Sequence, residues 1–205
     1  MTSIRVHSIL DRSVVNGPGE RCVIWVQGCT LNCSGCWNPQ TWGPRGGALW
    51  TADDLIGHVL SLDHLDGVTL SGGEPFQQAE ELIPFVRAVR AHGLTAMAYT
   101  GYEVQELVKP SQLELFGLLD IAVTGRYRKE LRTFDAGWRG STNQTIHWLS
   151  ETADHAIPSA RVELHLRPDG GVLVTGFPPE ELLSGVREVT NSSPVLPTEP
   201  KLKSV

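Results

Sequence analysis

Three cysteines, Cys29, Cys33 and Cys36, stand in the run Cys-Thr-Leu-Asn-Cys-Ser-Gly-Cys of a 205-residue chain. Three thiolates at that three-then-two spacing, on one short loop, can close around a metal cluster. A cube of four irons and four sulfides usually takes four thiolates, so a three-cysteine loop leaves one iron open to a ligand that is not protein. An open iron is a place where chemistry can occur. Zinc is the competing occupant, because three cysteines and a histidine make a closed tetrahedral site. Structural zinc sites, however, usually show a second cysteine or histidine pair further on, and the seven histidines here are scattered without one. The fourth cysteine, Cys22, lies in Arg-Cys-Val-Ile-Trp-Val-Gln at 21–27, where it shares a strand face with Ile24 and Val26 and reads as core. Cysteines crowded into one window do not resemble the spread framework of a disulfide-rich secreted domain.

A second set of residues sits in Ser-Gly-Gly-Glu-Pro at 71–75. Gly72 and Gly73 would let a ligand approach the backbone closely, and the Glu74 carboxylate could hold an ammonium by a charge-assisted hydrogen bond. The plain alternative is a strand-to-helix turn with an early proline and an acid favoured by the helix dipole. Thr100-Gly101-Tyr102 and Thr124-Gly125-Arg126 are turns of the same kind after later strands. The basic run Arg-Tyr-Arg-Lys at 126–129, with Arg132 nearby, reads as a solvated loop, with a docking patch as the alternative.

These turns need elements to hold them. Short β-branched runs alternate with helical patterns, which predicts βα units and a mainly parallel sheet, with ligands gathering where the strands end. Strands are expected at 21–27, 68–70, 94–99 and 118–123, with the cysteine loop following the first. Thr51 is placed as the N-cap of one helix, and a second runs to about His92 with Gly93 as its stop. Runs at 162–166 and 172–175, split by a Pro-Asp-Gly-Gly turn at 168–171, predict an antiparallel hairpin at that end of the sheet. A last helix is expected at 179–189. One domain over residues 1–190 fits the length, and the polar stretch 191–205 reads as a flexible tail. The net charge of −6 argues against a nucleic-acid-binding surface. No signal-peptide pattern opens the chain and no long apolar run crosses it, so a cytoplasmic protein without a membrane span is expected.

Together these features resemble the radical S-adenosylmethionine superfamily, in which Cys-x3-Cys-x2-Cys holds a 4Fe-4S cluster and a Gly-Gly-Glu-Pro loop meets the methionine amino group. Asn16-Gly-Pro-Gly-Glu-Arg21, Val26-Gln-Gly-Cys29, Gly35-Cys-Trp-Asn38, Tyr99-Thr-Gly-Tyr102, Asp120-Ile-Ala-Val123 and Trp138-Arg-Gly-Ser-Thr-Asn-Gln144 resemble the ordered landmarks of anaerobic ribonucleotide reductase activating proteins. That likeness spans about residues 10–150. Pyruvate formate-lyase activating enzymes are similar at the earlier segments.

The resemblance implies an α/β fold, a partial (β/α)6-type radical SAM barrel, with Cys29, Cys33 and Cys36 as metal ligands. It implies S-adenosylmethionine against Gly72, Gly73 and Glu74, with Gly35 and Trp37 near adenine or cluster and Thr100 and Gly101 facing the cofactor. The chemistry belongs to the cofactor, so no side chain is assigned as general acid or base. The implied partners are a glycyl-radical enzyme such as an anaerobic ribonucleotide reductase, and a flavodoxin- or ferredoxin-type electron donor. One position departs from the pattern: Thr124 stands where relatives commonly carry an acid, which leaves partner identity open. Two other readings remain: a radical enzyme acting on a small molecule or peptide, and a non-enzymatic electron carrier or zinc-stabilised module.

Overall fold

A computed structural model describes residues 3–134, 137–151, 162–166 and 171–190. Seven strands form the main sheet: β1 (Ser3–Ser13), β2 (Arg21–Val26), β3 (Ala48–Thr51), β4 (Gly67–Gly72), β5 (Thr95–Tyr99), β6 (Ile121–Thr124) and β7 (Thr145–Trp148). Their order is β3-β1-β2-β4-β5-β6-β7, and the protein is a mixed α/β structure. The central four, β2, β4, β5 and β6, run parallel. β1 and β3 extend one side antiparallel, and β7 does so on the other.

The expected mainly parallel sheet is therefore corrected to a mixed one, because β1, β3 and β7 escaped the sequence pattern. Register shifts between Val6 and Ser8 and between Leu10 and Ser13 break the period-two alternation of β1. β3 and β7 have four residues each, too few for a period to show.

Helices α1 (Ala52–Leu60), α2 (Ala79–Ala91) and α3 (Pro110–Gly117) link the parallel strands. Thr51 caps α1 as expected: its hydroxyl accepts the Asp54 N–H at 3.0 Å, and Asp53 and Asp54 lie in the first turn, where the dipole favours them. α2 ends at His92 and Gly93, also as expected. Strands β8 (Val162–Leu166) and β9 (Val172–Gly176) pair antiparallel, and α4 (Glu180–Thr190) follows. The hairpin is a separate two-stranded sheet and not an end of the main one, since β7 already occupies the edge beyond β6. Side chains tie it down instead: Val14 N donates to Glu163 Oε1 at 2.8 Å, and Asn16 Nδ2 to Thr175 Oγ1 at 2.9 Å. Most of the predicted 168–171 turn and the predicted tail lie outside the described residues.

Strand alternation divides the core. Cys22, Ile24, Val26, Val68, Leu70, Ala96, Ala98 and Ala122 pack with the helices, so Cys22 is a core residue as expected. Met97, Ile121 and Val123, displaced by one residue, form a second cluster with Trp138. Both faces are thus covered, which explains why the central strands read as nearly continuous apolar runs. Arg21 is buried too, donating to Thr69 Oγ1 and to the Pro18, Val68 and Thr95 carbonyls. Desolvation lowers its pKa to about 10. Among the described residues no helix is long and apolar enough to cross a membrane.

Candidate functional site

The carboxyl ends of the parallel strands open onto one cleft of about 1060 Å³, solvent at its mouth included. Each strand sends a loop to it: Cys29 follows β2, Glu74 follows β4, Thr100 follows β5 and Gly125 follows β6. Chain direction alone gathers these turns on one rim, since parallel strands all finish on the same side.

The cysteine loop is closed at its base, where Gly28 N donates to Thr41 O at 2.7 Å and Cys29 N to Trp42 O at 3.1 Å. Behind it Gln27 Nε2 donates to Gly43 O at 2.7 Å. Cys36 N donates to Cys33 O at 3.1 Å, so the last two cysteines share one turn. Cys29, Cys33 and Cys36 are all free, partly buried and part of the cleft wall.

Burial raises the thiol pKa of Cys29 and of Cys33. The negative charges of Glu74 and Cys36 add to the rise at both, while backbone hydrogen bonds from Leu31 and Asn32 at Cys29, and from Tyr127 at Cys33, oppose it. Cys29 and Cys33, which burial makes harder to ionise, stand with Cys36 as the three-sulfur donor set that a cationic iron cluster would hold. Cys22 supplies no fourth donor: it lies wholly buried among the helices, with burial pushing its pKa up to about 12. The residues present therefore fit a 4Fe-4S cluster ligated by three thiolates. Among the described residues no three His, Cys, Asp or Glu side chains are placed to hold one metal ion.

Gly73 brings the β4 loop against the cysteine strand. Gly73 N donates to Val26 O at 2.8 Å and Glu74 N to Gly28 O at 2.9 Å. A Cβ at position 73 would collide with the Gly28 carbonyl. Gly72 joins it in the cleft wall. The buried Glu74 carboxylate joins the β4 and β5 loops, as Oε1 accepts from Phe76 N at 3.0 Å and Thr100 Oγ1 at 2.8 Å, and Oε2 from Gly101 N at 2.8 Å. Burial pushes its pKa up to about 7 against these donors and the Arg126 charge. A carboxylate accepts about four hydrogen bonds, so Oε2 keeps room for one more donor, and a cationic one would be favoured.

Trp37 lines the cleft with the Arg132 guanidinium 4.2 Å from its ring centroid, and its indole N–H is buried without a partner. Gly35 does not line the cleft: it is exposed, has φ of 72°, and packs against the Lys129 stem. Thr124 is also absent from the lining, being buried on the helix-side parity of β6 with Oγ1 2.9 Å from His147 Nε2. The acid-to-threonine departure thus falls behind the cleft, where a hydroxyl satisfies a histidine.

Sequence reasoning assigned no role to Asn16, Tyr99 or Gln144, all of which line the cleft. Gln144 braces the rim, accepting from Gly140 N at 2.9 Å and donating to Gly125 O at 3.0 Å. The Tyr99 hydroxyl is buried and has no partner, and desolvation keeps it protonated by raising its pKa. All three lie in the landmark segments, but a motif shows position without showing which way a side chain points.

The thiol loop, the cleft and the match of residues 15–147 to the family model described as a 4Fe-4S single cluster domain define a single-cluster iron-sulfur protein of mixed α/β class. Anaerobic ribonucleoside-triphosphate reductase-activating protein of Escherichia coli strain K12 is 34% identical over 151 residues, 70% of this chain and 97% of that one. The protein of the same name from Enterobacteria phage T4 is 39% identical over 139 residues, 64% of this chain and 86% of that one. Pyruvate formate-lyase-activating enzyme of Clostridium pasteurianum is 35% identical over 145 residues, 63% of this chain and 61% of that one. The chain belongs to the family of anaerobic ribonucleoside-triphosphate reductase-activating proteins.

Proposed function

We propose that this chain is a radical S-adenosylmethionine enzyme that installs a glycyl radical on an anaerobic ribonucleotide reductase-like partner. The observation that carries the reading is the three-thiol loop facing Glu74 across one cleft, in a chain whose relatives are named as reductase activators. A 4Fe-4S cluster held by Cys29, Cys33 and Cys36 would supply the one-electron reduction of S-adenosylmethionine, and the hydrogen-atom abstraction from glycine would be the cofactor's chemistry.

The chain's own residues bind, orient and enclose. Cys29, Cys33 and Cys36 would hold three irons, and Glu74, fixed by Thr100 and Gly101, would meet the methionine ammonium with its remaining acceptor site. Gly72 and Gly73 leave their stretch of wall free of side chains, and Trp37 offers an aromatic face and an unpaired N–H. No general acid or base is needed. The reading includes an incomplete (β/α)6-type barrel, supported by a sheet whose edges β3 and β7 do not pair and whose inner face is filled by its own cluster. It also includes one domain over residues 1–190, a cytoplasmic setting and a flavodoxin- or ferredoxin-type electron donor.

Anaerobic incubation with dithionite and S-adenosylmethionine tests the reading directly. We expect 5'-deoxyadenosine, and with the partner present a glycyl radical signal in electron paramagnetic resonance. Cys33→Ser should lose cluster iron and product together, whereas retention of both at wild-type levels would remove Cys33 from the ligand set.

A further inference from the structure

In a chain of net charge −6, residues 126–132 carry four cations, Arg126, Arg128, Lys129 and Arg132, against the single acid Glu130. The fold lays this segment along the cysteine loop. The Tyr127 backbone meets the Cys33 thiol, the Lys129 stem packs on Gly35, and the Arg132 guanidinium covers Trp37 at 4.2 Å. Two of the cations are engaged: Arg126 Nη1 donates to Glu106 Oε2 at 2.7 Å and Arg132 Nη2 to Pro178 O at 2.8 Å. Arg128 and Lys129 are exposed and make no ion pair with a described residue.

The loop they border has a different character. Residues 28–44 contain no charged side chain, and Ser34 and Gly35 are exposed between Cys33 and Cys36. The two sulfurs therefore lie one turn from an uncharged piece of surface, framed by cations. A hydrogen-atom donor must enter the cleft, and Arg128 and Lys129 are not part of its lining. An electron donor needs only to come close to the sulfurs from outside. We infer that Arg128 and Lys129 form the docking edge for an acidic one-electron carrier protein, which delivers its electron across the 33–36 turn. Complementary charge guides such encounters and orients them, while the uncharged turn can be covered without desolvating an ion. One electron leaves the reduced carrier and is taken up at the cluster site; no bond forms between the proteins. The inference rests on the radical-enzyme reading above and adds the place of electron entry.

The test pairs the reconstituted enzyme with an acidic flavodoxin and measures affinity by calorimetry at about 50 mM and about 300 mM salt. Arg128→Gln with Lys129→Gln removes both charges and keeps much of each stem. We expect affinity about tenfold weaker in the double variant at low salt, a similar loss for wild type at high salt, and slower cluster reduction by flavodoxin. Reduction by dithionite should stay at the wild-type rate. If the Lys129 change lowers iron loading, Arg128→Gln alone is read, with a several-fold loss expected. Unchanged or salt-independent affinity would overturn the inference, as would loss of affinity for the glycyl-radical partner with flavodoxin binding intact. Failure of wild type to form 5'-deoxyadenosine with dithionite would instead sink the radical reading, because that assay needs no carrier.

Discussion

Glu74 does two things that pull against each other. It is buried, which disfavours its charge, and it accepts three hydrogen bonds, which favour that charge. The balance is a pKa raised from 4.5 to about 7. Between those values the folded chain keeps a proton that the unfolded chain has released, so stability is full below pH 4.5 and falls as pH rises through about 7. The loss is of the order of 3 kcal/mol. Metal-free wild type should therefore lose more stability between pH 4.5 and 7 than Glu74→Gln, measured by urea unfolding at each pH. Parallel pH profiles for the two proteins would show that Glu74 does not titrate in that window. Glu74→Gln should also be less stable at low pH, because its amide would face a backbone N–H where an oxygen now accepts.

At the scale of elements, the site depends on how closely the β4 loop approaches the end of β2. Gly73 permits that approach, and Gly73→Ala should cost more than about 1 kcal/mol and reduce iron loading, since the Gly28 carbonyl must move away. Gly57, inside α1, is the matched control: a Cβ there meets nothing within 4 Å, so Gly57→Ala should stabilise by about 0.5–1 kcal/mol. Thermal unfolding and iron analysis of both variants read the contrast. A neutral Gly73→Ala would mean that the two loops are not held at this separation. The motif as a sequence shows two glycines and an acid; the partner that forbids a side chain lies forty-five residues earlier, at Gly28.

For the whole molecule, the β8–β9 sheet has no ladder to the main sheet, yet it is anchored at Val14 and Asn16 and contributes Val174 and Thr175 to the cleft, with Phe177 following just beyond β9. These ties predict one cooperative unfolding transition reported equally by circular dichroism and tryptophan fluorescence. Two separated transitions would show that the hairpin and the main sheet unfold as independent units. Trp37 makes the fluorescence informative, because it joins the cysteine loop to Phe177 beyond β9, with ring centroids 6.4 Å apart.

Much of the site was legible from local chemistry. Thiol spacing, the Gly-Gly-Glu-Pro turn and the Thr51 cap depend on residues a few positions apart, and a chain cannot hide relations that short. The parallel strands were legible as well, because a strand covered on both faces must be apolar throughout. What lay beyond reach was every relation set by packing: the antiparallel pairings of β1, β3 and β7, the Glu74 carboxylate bridging two loops, Thr124 turned toward His147, and the basic segment laid against the cysteine turn. In each case the partner is distant along the chain or the outcome turns on strand parity, and only the folded chain brings such residues together.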